Sequence, residues 1–160
     1  MRMDGENVAF IIRPACEGDI PAIDAFLRPF AEQQQILPRT AEDIRRCLGN
    51  FQLALSPSGK VVGTVALRDF EEGLNEIRSL AVLEEVAHQG LGSRLVEAAK
   101  QLARDRKASR VFTLTTHPAL FQRLGFRIVP MDTFPQKVQF DCRACPKRHA
   151  CDETALLWEP

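Results

Sequence analysis

The sequence predicts an α/β (α+β) domain: a mixed, twisted sheet of about six to seven strands flanked by about four helices. Three observations point there. Short apolar or β-branched runs recur along the chain and are punctuated by Gly, Pro, Asn and Ser. Between them lie segments whose apolar residues repeat at helical spacing. One strand, a long amphipathic segment and a second strand follow each other directly. That order implies a parallel strand pair, because a crossover connection is needed to bring the chain back in the same direction.

The 160 residues fit one domain with a single sizeable core. The expected layout is one domain over 1–160, with a cysteine-containing C-terminal segment at about 136–160. The composition is 45% hydrophobic and 26% charged, as in an ordinary globular protein. Formal net charge is zero, which argues against a general nucleic-acid or membrane-surface partner. Met1 to Asn7 is polar, and no run approaches the ~20 apolar residues that span a bilayer. A cytoplasmic location is therefore the expectation, and there cysteines stay reduced or bind metal.

Val8 to Arg13 is an apolar run that predicts a first strand, ended by Pro14. Asp19 is placed to cap a helix with Pro21 in its first turn. Ile23, Phe26, Leu27 and Phe30 continue that helix to about Gln35. Thr40 and Asp43 form a capping pair for a second helix closed by Gly49. Phe51 to Leu55 and Val61 to Leu67 flank Ser56-Pro-Ser-Gly59, a hairpin signal. Leu74 to Leu83 is the next strand. From Gly90, the residues Leu91, Leu95, Ala98 and Leu102 share one face of a long helix. Val111 to Thr116 is β-branched, Pro118 to Leu124 is a short helix stopped by Gly125, and Phe126 to Val129 is a short strand. Ala155 to Trp158 predicts a last strand.

The segment Gln89-Gly-Leu-Gly-Ser-Arg94 opens the long helix. Gly90 and Gly92 permit a tight turn and close approach of a ligand. The unpaired N–H groups of the first helical turn and the helix dipole favour an anion, suited to a pyrophosphate. A plain strand–helix turn is the alternative for a G-x-G by itself.

This order of elements, together with Gly90-x-Gly92 and Leu120-Phe-Gln-Arg-Leu-Gly-Phe126, resembles the GNAT family of acetyl-CoA-dependent N-acetyltransferases. The likeness runs from Ile12 to Val129. A narrower likeness rests on Ile36-Leu-Pro-Arg39, Glu76 to Val82, Leu114-Thr-Thr116 and Phe134-Pro135. These segments, with the tail Asp141-Cys-x-x-Cys-Pro146 to Cys151-Asp-Glu153, are similar to short, single-domain N-acetylglutamate synthases.

The resemblance implies acetyl-CoA as cosubstrate, the α-amine of an amino acid, L-glutamate first, as acceptor and direct transfer in a ternary complex; another small amine, a protein amine, or acetyl-CoA binding without catalysis are the alternatives. It implies cofactor contacts from Leu80, Ala81 and Val82, whose backbone would pair with the pantetheine arm as an added strand. Gln89, Gly90, Leu91, Gly92, Ser93 and Arg94 would hold the pyrophosphate. Ala87 stands where the motif carries Arg or Gln, which leaves the backbone, His88 and Gln89 to serve. Glu76 is the candidate general base for an α-amine; a solvated strand glutamate is the alternative. Phe121 occupies the place where many family members carry a Tyr, and the chain has no Tyr. Phe121 can pack against the cofactor but cannot donate a proton, so either the thiolate leaves unassisted or another donor, such as Ser79 or a water, serves.

For the substrate, Arg39 sits where the likeness places a carboxylate-gripping arginine, and Arg78 and Lys137 are further cations. Ordinary surface salt bridges are the alternative for all three. Cys142, Cys145 and Cys151, with His149 between them, have spacing compatible with a tetrahedral zinc site. Buried thiols or a redox-sensitive pair are favoured over a structural zinc. A homodimer joined through sheet edges and feedback by arginine are implications of the resemblance alone.

Overall fold

The computed structural model describes residues 10–134 and 153–160. Among the described residues, seven strands form one sheet in the order β1-β2-β3-β4-β5-β7-β6. They are β1 (Ile11–Pro14), β2 (Phe51–Leu55), β3 (Val61–Asp69), β4 (Leu74–Val82), β5 (Arg110–Thr115), β6 (Arg127–Val129) and β7 (Thr154–Trp158). The helices among the described residues are α1 (Ile20–Glu32), α2 (Ala41–Arg46), α3 (Leu91–Asp105) and α4 (Pro118–Arg123). Neighbouring strands are antiparallel except β4 and β5, which run parallel on either side of the α3 crossover. The expected mixed sheet and parallel pair are both present. The last strand does not sit at the edge: β7 inserts between β5 and β6.

Alternation along the strands divides the core between two faces. Leu67 and Ile77 join Leu95, Val96, Ala99, Val111 and Phe121 under α3 and α4. Ala66 and Ala81 instead join Ile20, Ile23, Leu27, Ile44 and Leu53 under α1 and α2. A third cluster of Leu74, Phe112, Phe134, Ala155 and Leu157 lies beside β5 and β7. Neighbours such as Ala66 and Leu67 point to opposite sides, as the period-two pleat demands.

The Thr40–Asp43 pair caps α2 as expected: Thr40 Oγ1 accepts the Asp43 N–H at 3.0 Å, and Asp43 Oδ2 accepts the Thr40 N–H at 3.2 Å. Gly49, however, lies inside a 3₁₀ turn over Leu48–Asn50 instead of closing the helix. Pro14 is the final residue of β1 rather than its stop, tolerated because β1 is an edge strand. Helix α1 stops three residues before Gln35, and Gln34 turns left-handed at φ 61°. On α3 the buried face runs through Leu91, Leu95, Val96, Ala99, Lys100 and Ala103, with Leu102 only partly buried. The stripe is rotated from the one drawn through Ala98 because Lys100 turns inward. Its Nζ donates to the Leu124 carbonyl at 2.7 Å and lies 4.5 Å from the Trp158 ring centre.

Asp19 does not cap α1 with its side chain. Its carboxylate turns back instead, accepting both Arg13 guanidinium nitrogens at 2.9 and 3.0 Å and the Cys16 N–H at 2.7 Å. A bidentate charged donor outcompetes a single backbone amide. The Arg13 hydrogen bonds hold the Asp19 carboxyl below the usual carboxylate range. A depressed folded-state pKa stabilises the protein above the unfolded value and loses that contribution as pH falls through the folded value. Asp19→Asn is therefore expected to cost about 1 kcal/mol at pH 7, with the difference from wild type vanishing well below pH ~4. Urea midpoints of both proteins at pH 7 and pH 3 measure this. An equal cost at both values would show that the charge is not responsible.

Candidate active site

Strand β4 builds the site because it parts from β5 and bulges against β3. Its register with β5 runs from Leu74↔Arg110 to Ile77↔Thr113 and goes no further. On the β3 side, Ala66 faces Arg78 and Thr64 faces Ala81, so β4 holds one extra residue there, a β-bulge. Ser79 sits in the bulge at φ 53°, a left-handed conformation that costs a non-glycine residue about 1 kcal/mol or more. Two buried hydroxyls brace this stretch. Thr64 Oγ1 donates to the Ser79 carbonyl at 2.8 Å, and Thr113 Oγ1 donates to the Ile77 carbonyl at 3.0 Å.

The opening between β4 and β5 continues into a cavity of about 550 Å³. One end is walled by Ala81, Val82, Gly92, Leu120 and Phe121. The other is walled by Glu76, Arg78, Arg39 and the connector after α1, including Gln34, Gln35 and Ile36. Gln34 turns left-handed at the end of α1, and the connector that follows, Arg39 included, lines the same cavity as β4.

Glu76 is 2% exposed, so it is no solvated strand glutamate. Its Oε1 accepts Arg78 Nε at 2.9 Å and Nη2 at 2.6 Å. The two side chains share a face because they are two residues apart on a strand. Burial makes the carboxylate costly unless it is paired, and Arg78 compensates it. Arg78 is thus part of a buried ion pair, not a surface one: its side chain is 10% exposed. Arg39 is half-buried at the cavity wall.

Of the residues singled out in the sequence, Glu76, Ser79, Leu80, Ala81, Val82, Gly92, Phe121, Arg39 and Arg78 line one cavity. The rest of the glycine motif lies outside that lining. Leu91 is a core side chain, 1% exposed. Ser93 and Arg94 face a separate shallow depression with Ile12 and Gln52, and Arg94 Nη2 donates to the Phe10 carbonyl at 3.3 Å. Gln89 and Gly90 are exposed, and Gly90 is left-handed at φ 80° ahead of the helix. The first helical bond of this turn runs from the Arg94 N–H to the Gly90 carbonyl at 3.1 Å. The amides before it have no acceptor within the helix and face outward as donors. What the motif offers an anion is backbone, not side chains.

Thr113, Thr115, Thr116, His117 and Glu153 also line the cavity, and sequence reasoning did not assign them to it. Lys137 and the cysteines Cys142, Cys145 and Cys151 lie outside the described residues. Among the described residues, no group of His, Cys, Asp and Glu is arranged to hold a metal ion, and no helix is long and apolar enough to cross a membrane.

Comparison with known proteins agrees with this geometry. An N-acetyltransferase of Chlorobaculum tepidum is 38% identical over 146 residues, covering 91% of this chain and 94% of its own length. The amino-acid acetyltransferase of Neisseria meningitidis serogroup A is 35% identical over 139 residues, and the match spans 85% of this chain but 32% of that protein. The N-acetylglutamate synthase of Neisseria gonorrhoeae, solved with coenzyme A and N-acetyl-glutamate, superposes with a TM-score of 0.81 at 31% identity. That superposition covers 94% of this chain and 35% of the synthase, so this chain spans about a third of it. The acetyltransferase (GNAT) family matches residues 21–126. The parted strands, the glycine turn and the shared cavity are thus those of an acetyltransferase fold, and the chain belongs to the GNAT family.

Proposed function

We propose that the chain transfers acetyl from acetyl-CoA to the α-amine of an amino acid, with L-glutamate the favoured acceptor. That reaction would be the first step of arginine biosynthesis. The observation that carries the reading is the single cavity. It joins the open edge of β4 to a basic and acidic cluster of Arg39, Glu76 and Arg78. An amino acid presents an ammonium and a carboxylate side by side, and glutamate adds a second carboxylate. Such a substrate matches a guanidinium at the wall and a carboxylate in the floor. The similarity to amino-acid acetyltransferases supports the same choice.

The chemistry follows from the groups available. The α-ammonium gives up a proton to Glu76, directly or through a water. Its nitrogen attacks the thioester carbon, and the carbonyl oxygen gains charge. The Leu80 N–H, in the stretch where the bulge interrupts the ladder, donates to that oxygen. Collapse breaks the C–S bond, and the products are the N-acetylated amino acid and CoA. The leaving thiolate takes up the proton that the acetylated nitrogen sheds on collapse, relayed through Ser79 or water, since Phe121 has none to give. Arg39 clamps a substrate carboxylate, and proximity in the ternary complex supplies much of the rate.

Release of CoA thiol, measured with each of the twenty amino acids, tests the proposal. Glutamate should give the fastest turnover. Arg39→Ala should raise KM for glutamate about 30- to 100-fold, with kcat and the KM for acetyl-CoA little changed. Tight acetyl-CoA binding without turnover of any amino acid would refute the reading.

A further inference from the structure

We propose that Thr64, on β3 and outside the cavity lining, is a positioning residue that aims the Leu80 amide at the reacting thioester. The inference rests on the proposed role of that amide. In a trans peptide unit the C=O of one residue and the N–H of the next point in opposite directions. The Ser79 carbonyl and the Leu80 N–H belong to one such unit. Thr64 Oγ1 donates to that carbonyl at 2.8 Å and so draws it toward β3. The Leu80 N–H must then point away from β3, to the side where β4 has parted from β5 and where Leu80 lines the cavity.

The local backbone needs this brace. Neither Ser79 nor Leu80 takes a ladder partner in β3 or β5. Ser79 is left-handed at φ 53° with no glycine to make that conformation easy. Rotation of the 79–80 peptide unit, about ψ of Ser79 and φ of Leu80, would turn the amide out of the cavity. Thr64 is fully buried, so no water competes for its hydroxyl or replaces it. The neighbouring bond from Thr113 fixes a different unit, because it holds the Ile77 carbonyl toward β5. The two threonines therefore pin consecutive parts of β4 to opposite neighbours, and the Thr64 bond is the one that sets the amide.

Thr64→Val keeps the shape and removes the hydroxyl; Thr64→Ser keeps the hydroxyl. An amide whose bond to the thioester oxygen strengthens as charge develops there affects kcat far more than ground-state binding. Thr64→Val should lower kcat by about 10- to 100-fold, with both KM values within about twofold, and Thr64→Ser should stay within about threefold of wild type. Thr64→Ala gives the same comparison if the valine variant does not fold. Amide NMR on acetyl-CoA binding provides a readout that needs no acceptor. The Leu80 amide proton should move downfield in wild type and Thr64→Ser but not in Thr64→Val. This readout holds even if glutamate proves not to be the substrate. A variant without the hydroxyl that loses only thermal stability, with kcat and the Leu80 shift as in wild type, would overturn the proposal.

Discussion

Glu76→Gln is expected to lower kcat by about two to three orders of magnitude, a loss of about 3–4 kcal/mol of transition-state stabilisation. The substitution removes the charge and the basicity but keeps the shape and one acceptor oxygen for Arg78. Acetyl-CoA affinity, measured by calorimetry, should stay within about threefold, because a base acts on the amine and not on the thioester. The structure makes the substitution demanding. Glu76 is 2% exposed and bonded through one oxygen to two nitrogens of a guanidinium whose side chain is 10% exposed. Neutralising one partner leaves the other charge buried with a weaker acceptor, so thermal stability must be followed in parallel. Glu76→Asp separates the roles. It retains a carboxylate but draws it back by one methylene, and partial recovery of kcat over Gln would assign the loss to proton transfer. A Glu76→Gln enzyme with kcat within threefold of wild type would instead reduce Glu76 to a partner that holds Arg78.

The elements were legible because their signals are local. The Thr40–Asp43 cap and the Ser56–Gly59 hairpin turn each sit within a few residues, the strand–helix–strand order is read from consecutive segments, and the sheet follows from them. The glycine turn was legible for the same reason. What the sequence hid depends on which side chains the fold brings together. Asp19 reads as a cap until Arg13 is folded against it. Lys100 reads as the polar side of a helix until the Leu124 carbonyl and the Trp158 ring are brought to it. The bulge at Ser79 carries no sequence mark, because a serine holds the left-handed angle that a glycine would have advertised. Thr64 was invisible for a related reason: a threonine in a strand is ordinary by propensity, and only the pairing to β4 shows what its hydroxyl does. Glu76 was found by likeness to a motif, whereas its burial beside Arg78 emerges only from the sheet.

The largest expected loss of stability falls at Phe112, one residue along β5 from the brace at Thr113. Phe112 is fully buried. Its ring stacks on Phe134, with centroids 4.1 Å apart and planes at 12°, and Phe70 approaches at 5.9 Å. In the sheet it faces Glu76 on one side and Leu157 on the other. One ring thus joins β4, β5 and β7 to the turn before Phe134. Phe112→Ala removes its transfer free energy and leaves a cavity that a sheet centre cannot close, a cost of about 3–5 kcal/mol. For a domain of this size that is a fall in Tm of about 10–15 °C. Phe112→Leu fills most of the space and should cost about 1–2 kcal/mol. The urea m-value should not change if the denatured state is unaffected. Because Phe112 and Glu76 are cross-strand neighbours, the alanine variant also opens space beside the Glu76–Arg78 pair. Its kcat at a temperature where it remains folded should therefore fall further than that of Phe112→Leu. A cost below about 1 kcal/mol for Phe112→Ala would mean that Phe134 collapses into the gap, and that the aromatic stack is replaceable packing.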